Sequence, residues 1–223
     1  MKKLVAAMLC LALSLMCAVG LANEKIDPSE LQIGVIMIGD TSDMGFNYSH
    51  LVGLQEMQKN LGIEDHQITI LENVADDSTC ADAISELISN GCNVIIGNSF
   101  GFQTYMYEAA AQHPEVLFCH YSGLLQNDTN FCRFNARNYQ TRYLQGIAAA
   151  MRSESGKIGF VGAFKNAEVN VSLNAYALGA QSVNPDVTVY VKYTNSWYDP
   201  DGETAAANAL IDLGCDVICQ YVN

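Results

Sequence analysis

The sequence predicts an α/β protein of two lobes, each a doubly wound parallel sheet with helices on both faces, the second lobe truncated. Three observations carry this expectation. Apolar, β-rich runs bounded by turns recur at residues 31–38, 67–71, 93–97, 116–120, 157–161, 187–192 and 216–219, and continuous rather than alternating apolar runs mark strands covered on both faces. Segments of helical period lie between the runs, as strand–helix–strand units require. Finally, the small polar stretch Ser153-Glu154-Ser155-Gly156 reads as a linker, after which the pattern restarts. Only three strands follow it, which would leave a sheet edge exposed, so the sequence is expected to be incomplete.

The elements follow in order. Residues 23–30 read as a loose polar leader, and residues 31–38 as the first strand. A helix starts near Asn47, with Leu51, Leu54, Met57 and Leu61 as its apolar positions, and Gly62 stops it. The strand at 67–71 leads to a helix with Ala81, Ile84, Leu87 and Ile88 on one face. Asp76 and Asp77 at its start complement the helix dipole. After the strand at 93–97 a helix runs to Gln112, where His113-Pro114 breaks it. Strands at 116–120 and 130–134 precede a helix at 139–151, with Tyr143, Leu144, Ile147 and Ala148 as its expected buried stripe. In the second unit, helices at 167–182 (Val171, Ala175, Leu178 and Gly179 inward) and 201–213 separate the three strands. The expected division is a signal peptide at 1–22, a leader at 23–31, a first lobe at 32–153 and a partial second lobe at 154–223.

Residues 1–22 have the form of an export signal. Lys2 and Lys3 precede an apolar stretch from Leu4 to Cys17, too short to span a bilayer, and Gly20 and Ala22 suit cleavage after Ala22. A lipid-modified Cys17 is the alternative, although Met16 is large where a small residue is expected. The protein is thus expected outside the cytoplasm, periplasmic or tethered to the membrane by Cys17. Of 11 basic residues, 9 remain once Lys2 and Lys3 are removed, against 24 acidic ones, a net charge of −15. Such a balance argues against nucleic acid or an anionic membrane surface as partner. Six cysteines remain after cleavage. Cys119 and Cys132 fall in neighbouring strands and are the best candidate pair, and free thiols packed as small hydrophobes are the favoured reading. No spacing of Cys or His fits a zinc site, and no metal or cofactor is expected.

Ligands of wound parallel sheets bind at the carboxyl ends of the strands. Three such mouths stand out. The first, residues 39–47, has no phosphate-binding glycine pattern, and Asp40 and Asp43 would repel a phosphate. Phe46 there can offer its face to a flat ligand, and Asn47 can give both a donor and an acceptor to its edge. Equally, Phe46 can serve as a hydrophobic staple and Asn47 as an N-cap. The second mouth, Asn98-Ser99-Phe100-Gly101-Phe102, lets the backbone approach a ligand at its glycine, and Ser99 can cap the next helix. Phe100 and Phe102 do not both fit into the core on so short a loop. The third mouth, Asn195-Ser196-Trp197-Tyr198-Asp199-Pro200, holds the only tryptophan. Trp197 reads either as half-buried packing or as the second wall of a sandwich around a flat ring. No catalytic set is found: there is no nucleophile elbow or His-Glu-x-x-His, and His50, His66, His113 and His120 are scattered.

Several stretches together resemble the basic membrane protein family of ABC-transporter solute-binding proteins, which includes purine nucleoside and nucleobase receptors. They are Glu72-Asn73-Val74, the 98–102 loop, Arg142-Tyr143-Leu144-Gln145-Gly146, Lys157-Ile158-Gly159-Phe160-Val161, Asn174-Ala175-Tyr176-Ala177-Leu178-Gly179, Val183-Asn184-Pro185 and Ser196-Trp197-Tyr198-Asp199-Pro200. The resemblance spans residues 32–223 and implies the type I periplasmic binding protein fold, two lobes closing on ligand by a hinge. It implies that Phe46 stacks on a purine, that Asn47 bonds the purine edge and that Trp197 closes from the other lobe. Asp40 or Asp43 would bond the base, and Ser99 and Phe100 would line the site. Ser122 stands where many nucleoside binders carry aspartate, which leaves the ribose contact open. The expected function is capture of a purine nucleoside or base by a monomer that serves ABC permease subunits. An exported α/β enzyme acting on nucleosides, or a nonfunctional fragment, are the alternatives.

Overall fold

The structure, a computed structural model, describes residues 26–222. The expected export signal and Cys17 lie outside the described residues. The described part of the leader is docked rather than loose. Pro28–Glu30 forms a 3-10 turn capped by Asp27, and the Gln67 amide donates to the carbonyls of Pro28 and Leu31.

Two parallel sheets organise the chain. The first has the order β2-β1-β3-β4-β5, formed by Ile33–Ile36, Ile68–Leu71, Val94–Gly97, Leu117–Tyr121 and Phe131–Phe134 as β1 to β5. β1 is buried at every position. That is the burial expected of a central strand covered on both faces, and it explains the unbroken apolar run. The second sheet has the order β7-β6-β8, with Lys157–Gly162, Thr188–Tyr193 and Val217–Tyr221 as β6 to β8. Among the described residues six α-helices connect these strands: α1 (Phe46–Leu61), α2 (Thr79–Ser89), α3 (Gln103–Gln112), α4 (Asn138–Arg152), α5 (Ala167–Gln181) and α6 (Pro200–Asp212).

Local chemistry sets the helix ends. Gly62 closes α1 in the left-handed region, φ 68°, where glycine has no Cβ to clash. Asn166 caps α5 by accepting from the Val169 N–H at 3.0 Å. Asp199 caps α6 ahead of Pro200, whose missing N–H is an orphan at that position in any helix.

Two expectations about buried faces are corrected. On α4 the buried residues are Gly146, Ala149 and Ala150, while Tyr143 and Leu144 are exposed. On α5 they are Val169, Ser172, Tyr176, Gly179 and Ala180, while Val171 and Leu178 are exposed. The reason is close helix contact. A Cβ at Gly146 would sit 2.0 Å from the Tyr176 carbonyl oxygen, and one at Gly179 would sit 2.0 Å from the Tyr143 carbonyl oxygen. Where the two helices touch, small residues therefore face inward and Tyr143, Leu144, Val171 and Leu178 are turned outward, while Val169 and Tyr176 fill the core beside them. The same contact bears on the division of the chain. Ala149 and Ala150 share an apolar cluster with Ile158, Phe160 and Tyr176, so α4 packs with the second sheet, not with the first as the division after Ser153 supposed. The core of the first sheet lies in two clusters, one around Phe102, Met106 and Phe118 and one around Val35, Met37 and Leu54.

Candidate functional site

In both sheets the chain reverses its winding direction beside the first strand laid down, between β1 and β3 and between β6 and β8. Loops diverge at such points and leave a crevice at the carboxyl ends of the strands. The two crevices share one cavity of about 240 Å³. From the first sheet come Ile38, Phe46, Asn98, Ser99, Phe100 and Tyr121, and from the second unit Arg142, Gln145, Glu168, Trp197 and Tyr221. A smaller cavity of about 170 Å³ adjoins it, sharing Phe100, Asn138, Glu168 and Tyr221 and adding Ser122 and Arg133.

The β1–α1 loop is set by its aspartates. Asp43 accepts from the backbone N–H groups of Gly45, Asn47 and Tyr48 at 2.9, 2.8 and 3.0 Å, so its carboxylate caps α1 at the positive end of the helix dipole. Asp40 is exposed and caps the turn Thr41–Asp43 through Ser42. Asn47 is not the N-cap. It is fully buried, its amide nitrogen donates to Asp43 at 2.8 Å and its carbonyl accepts from the Asn98 amide at 2.9 Å. Asn98 in turn accepts from the Ile38 N–H at 3.0 Å. This chain ties together the two sides of the crevice from behind its wall. Neither Asp40, Asp43 nor Asn47 lines the cavity.

Phe46 does line it, with its ring set edge-on to His50 at 4.7 Å and to Tyr121 at 5.7 Å. Phe100 and Phe102 divide as the loop length requires: Phe102 is buried in the core, and Phe100 lines the cavity. Ser99 does not cap the following helix. Its hydroxyl donates to Asp76 at 3.0 Å. Ser122 is buried with φ 65° and lines the smaller cavity. Its hydroxyl has no partner in hydrogen-bond geometry, yet lies near enough to Glu168 to ease its ionisation. Trp197 meets the cavity from the second unit, packed edge-on to Phe164 at 5.2 Å. Its indole N–H donates to Asp76 at 3.1 Å.

Sequence reasoning missed Asp76, Tyr121, Arg142, Glu168 and Tyr221. For Glu168 a signal existed: it lies in the first turn after β6, the position in the second unit that Phe46 and Asn47 hold after β1. Among the described residues it is the only carboxylate lining either cavity. Burial pushes its pKa up, opposed by the nearby Ser122 hydroxyl and by a hydrogen bond from Tyr221, the latter at 3.1 Å. Arg142 stacks over the Tyr221 ring at 4.8 Å and donates to the Gln220 carbonyl at 2.8 Å. The larger cavity is therefore aromatic on several sides, with one acid, one cation and a few amides and hydroxyls to orient a ligand, as small-molecule sites generally are. No group of three metal-binding side chains occurs among the described residues.

Residues 30–223 match the family described as Bmp: ABC transporter substrate-binding protein PnrA-like. The chain is 39% identical over 202 residues to the purine-binding protein BAB2_0673 of Brucella abortus, covering 91% of this chain and 56% of that protein. It is also 39% identical over 186 residues to the putative ABC transporter glucose-binding protein TsgA13 of Haloferax volcanii, covering 83% of this chain and 46% of that protein. The chain thus spans about half the length of these relatives. Among solved structures, ABC transporter system solute-binding proteins from Aeropyrum pernix superpose with a TM-score of 0.75 at 19% identity, over 86% of this chain and 55% of theirs, a likeness of fold. By the match over residues 30–223, this chain belongs to the Bmp family of PnrA-like ABC transporter substrate-binding proteins.

Proposed function

We propose that the protein is an extracytoplasmic receptor that captures a purine nucleoside or base in the cleft between its lobes and presents it to the permease of an ABC importer. The observation that carries this reading is the placement of Phe46 and Trp197, from opposite sheets, on one cavity of about 240 Å³. Flat heterocycles gain about 0.5–1.5 kcal/mol per aromatic contact beyond burial, and edge amides and Glu168 add orientation. The purine named for the Brucella relative supports this ligand class. The export-like leader supports a site outside the cytoplasm, whether free or tethered through Cys17. Asp40, Asp43 and Asn47 act in this reading as the frame that holds Phe46, with Phe46, Ser99, Phe100, Ser122 and Trp197 facing ligand-accessible space.

Calorimetry with adenine, adenosine, guanosine, inosine and glucose tests it. Binding to at least one purine, weakened about tenfold or more by Phe46→Ala, is the expected result. Binding to glucose and to no purine would replace the ligand class with the one named for the Haloferax relative.

A further inference from the structure

We propose that Asp76 is a positioning residue that latches the cleft, holding the Trp197 indole of the second unit from the first and so coupling closure to the set of that ring. This inference rests on the reading of the cleft as a ligand site. Its geometric basis is a pair of hydrogen bonds to one oxygen. Asp76 Oδ2 accepts from the Ser99 hydroxyl at 3.0 Å and from the Trp197 indole N–H at 3.1 Å. Ser99 is almost fully buried on the first sheet, so it anchors the carboxylate. Trp197 lies 121 residues further along the chain, after β7 of the other sheet. The bond therefore spans the two lobes.

Gly101 makes room for this arrangement. A Cβ at that position would lie 2.2 Å from the Asp76 carboxyl carbon, so any larger residue would displace the acid. Behind Trp197, the Phe164 ring packs edge-on against the indole at 5.2 Å. Asp77, Cys80 and Glu168 lie within electrostatic reach of Asp76, and among the described residues no basic group contributes to its environment. An acid held among other acids without a cation is unfavourable unless donors reach it. The indole N–H, the serine hydroxyl and the Gly101 backbone N–H are those donors, and separation of the lobes removes the first. The indole N–H, held by Asp76, is unavailable for hydrogen bonding to a ligand, which leaves the ring itself as the binding surface of Trp197.

Trp197 is the sole tryptophan, so its emission reports on this contact directly, without ligand. Acrylamide quenching of the full chain should rise in Asp76→Ala, with emission shifted to longer wavelength. Asp76→Asn, which keeps an acceptor oxygen in the same shape, should fall between wild type and Asp76→Ala. Equal quenching in wild type and Asp76→Ala, both shown folded by circular dichroism, would overturn the latch. So would Asp76→Asn matching Asp76→Ala, since a merely packed side chain predicts no rescue by an acceptor.

For adenosine, Asp76→Ala and Trp197→Phe should each weaken binding about tenfold, equivalent to about 1.4 kcal/mol. The double variant should be little worse than either, because both remove one interaction. Fully additive losses would overturn the coupling. If wild type binds no purine, the ligand assignment fails, while the quenching series still decides the latch.

Discussion

Gly146 of α4 and Tyr176 of α5 meet backbone to backbone: a Cβ on the glycine would lie 2.0 Å from the tyrosine carbonyl oxygen. This contact, and its counterpart between Gly179 and Tyr143, hold α4 on the second sheet. Gly146→Ala should therefore destabilise the protein by about 2–3 kcal/mol through overpacking. Gly53 provides the contrast. It is exposed on α1, and a methyl group there would meet nothing within 4 Å. Gly53→Ala should stabilise by about 0.5–1 kcal/mol. Urea unfolding of both variants beside wild type measures the difference.

Asn47 is the hinge of a buried amide chain. Asn47→Ala would leave the Asn98 amide without its acceptor at 2.9 Å and take a partner from the Asp43 carboxylate. A loss of about 2 kcal/mol is expected from stranding a buried donor. Thermal denaturation should show a lowered midpoint, and an unchanged midpoint would mean that water or a shifted Asn98 satisfies the gap.

Thiol reactivity should follow exposure and acidity. Cys119 and Cys132 stand opposite each other in the β4–β5 register, their sulfurs 3.5 Å apart. Cys132 is exposed, whereas burial pushes the Cys119 and Cys80 thiols up to about 12. Since the thiolate is the nucleophile, iodoacetamide at about pH 8 should alkylate Cys132 first and Cys80 among the last. Peptide mass spectrometry over a time course gives the order, and early labelling of Cys80 would contradict its burial.

Acid should weaken the fold through half-buried His50 and buried His120. Burial lowers the pKa of His50, partly offset by Asp43, and lowers that of His120. Unfolded, both protonate near about pH 6.5, while in the folded protein they resist. Their contribution is complete above that pH and declines as pH falls below it. Asp76 and Glu168, raised by burial, act in the opposite sense: the folded state takes up their protons first, so their penalty eases on the way down to the carboxylate range. The melting temperature should therefore begin to fall below about pH 6.5. His50→Phe, which keeps a ring against Phe46 and Tyr121 and removes the titration, should flatten that decline.

The order of strands and helices was legible in the chain because each apolar run and each helical period is a local property. The runs at 31–38 and 157–161 became the central strands β1 and β6, and the loops that follow the strands became the walls of the cavity. Phe46, Phe100 and Trp197 could be singled out as aromatic residues at strand mouths. Periodicity shows that a helix has an apolar face but not what that face meets, and this is why the stripes on α4 and α5 were misplaced: glycine and alanine carry little hydrophobic signal, yet they allow the closest approach. Likewise, Asn47 read equally as a cap or as a ligand contact because its partner, Asn98, follows another strand, 51 residues away.

By itself, then, the sequence determined the alternating α/β order and the aromatic character of the strand mouths. Only the tertiary structure decided that α4 joins the second sheet, that Glu168 faces the shared cavity and that Asp76 reaches Trp197. Those are contacts between residues far apart in the chain. They depend on how the layers close on one another, which no local pattern of residues encodes.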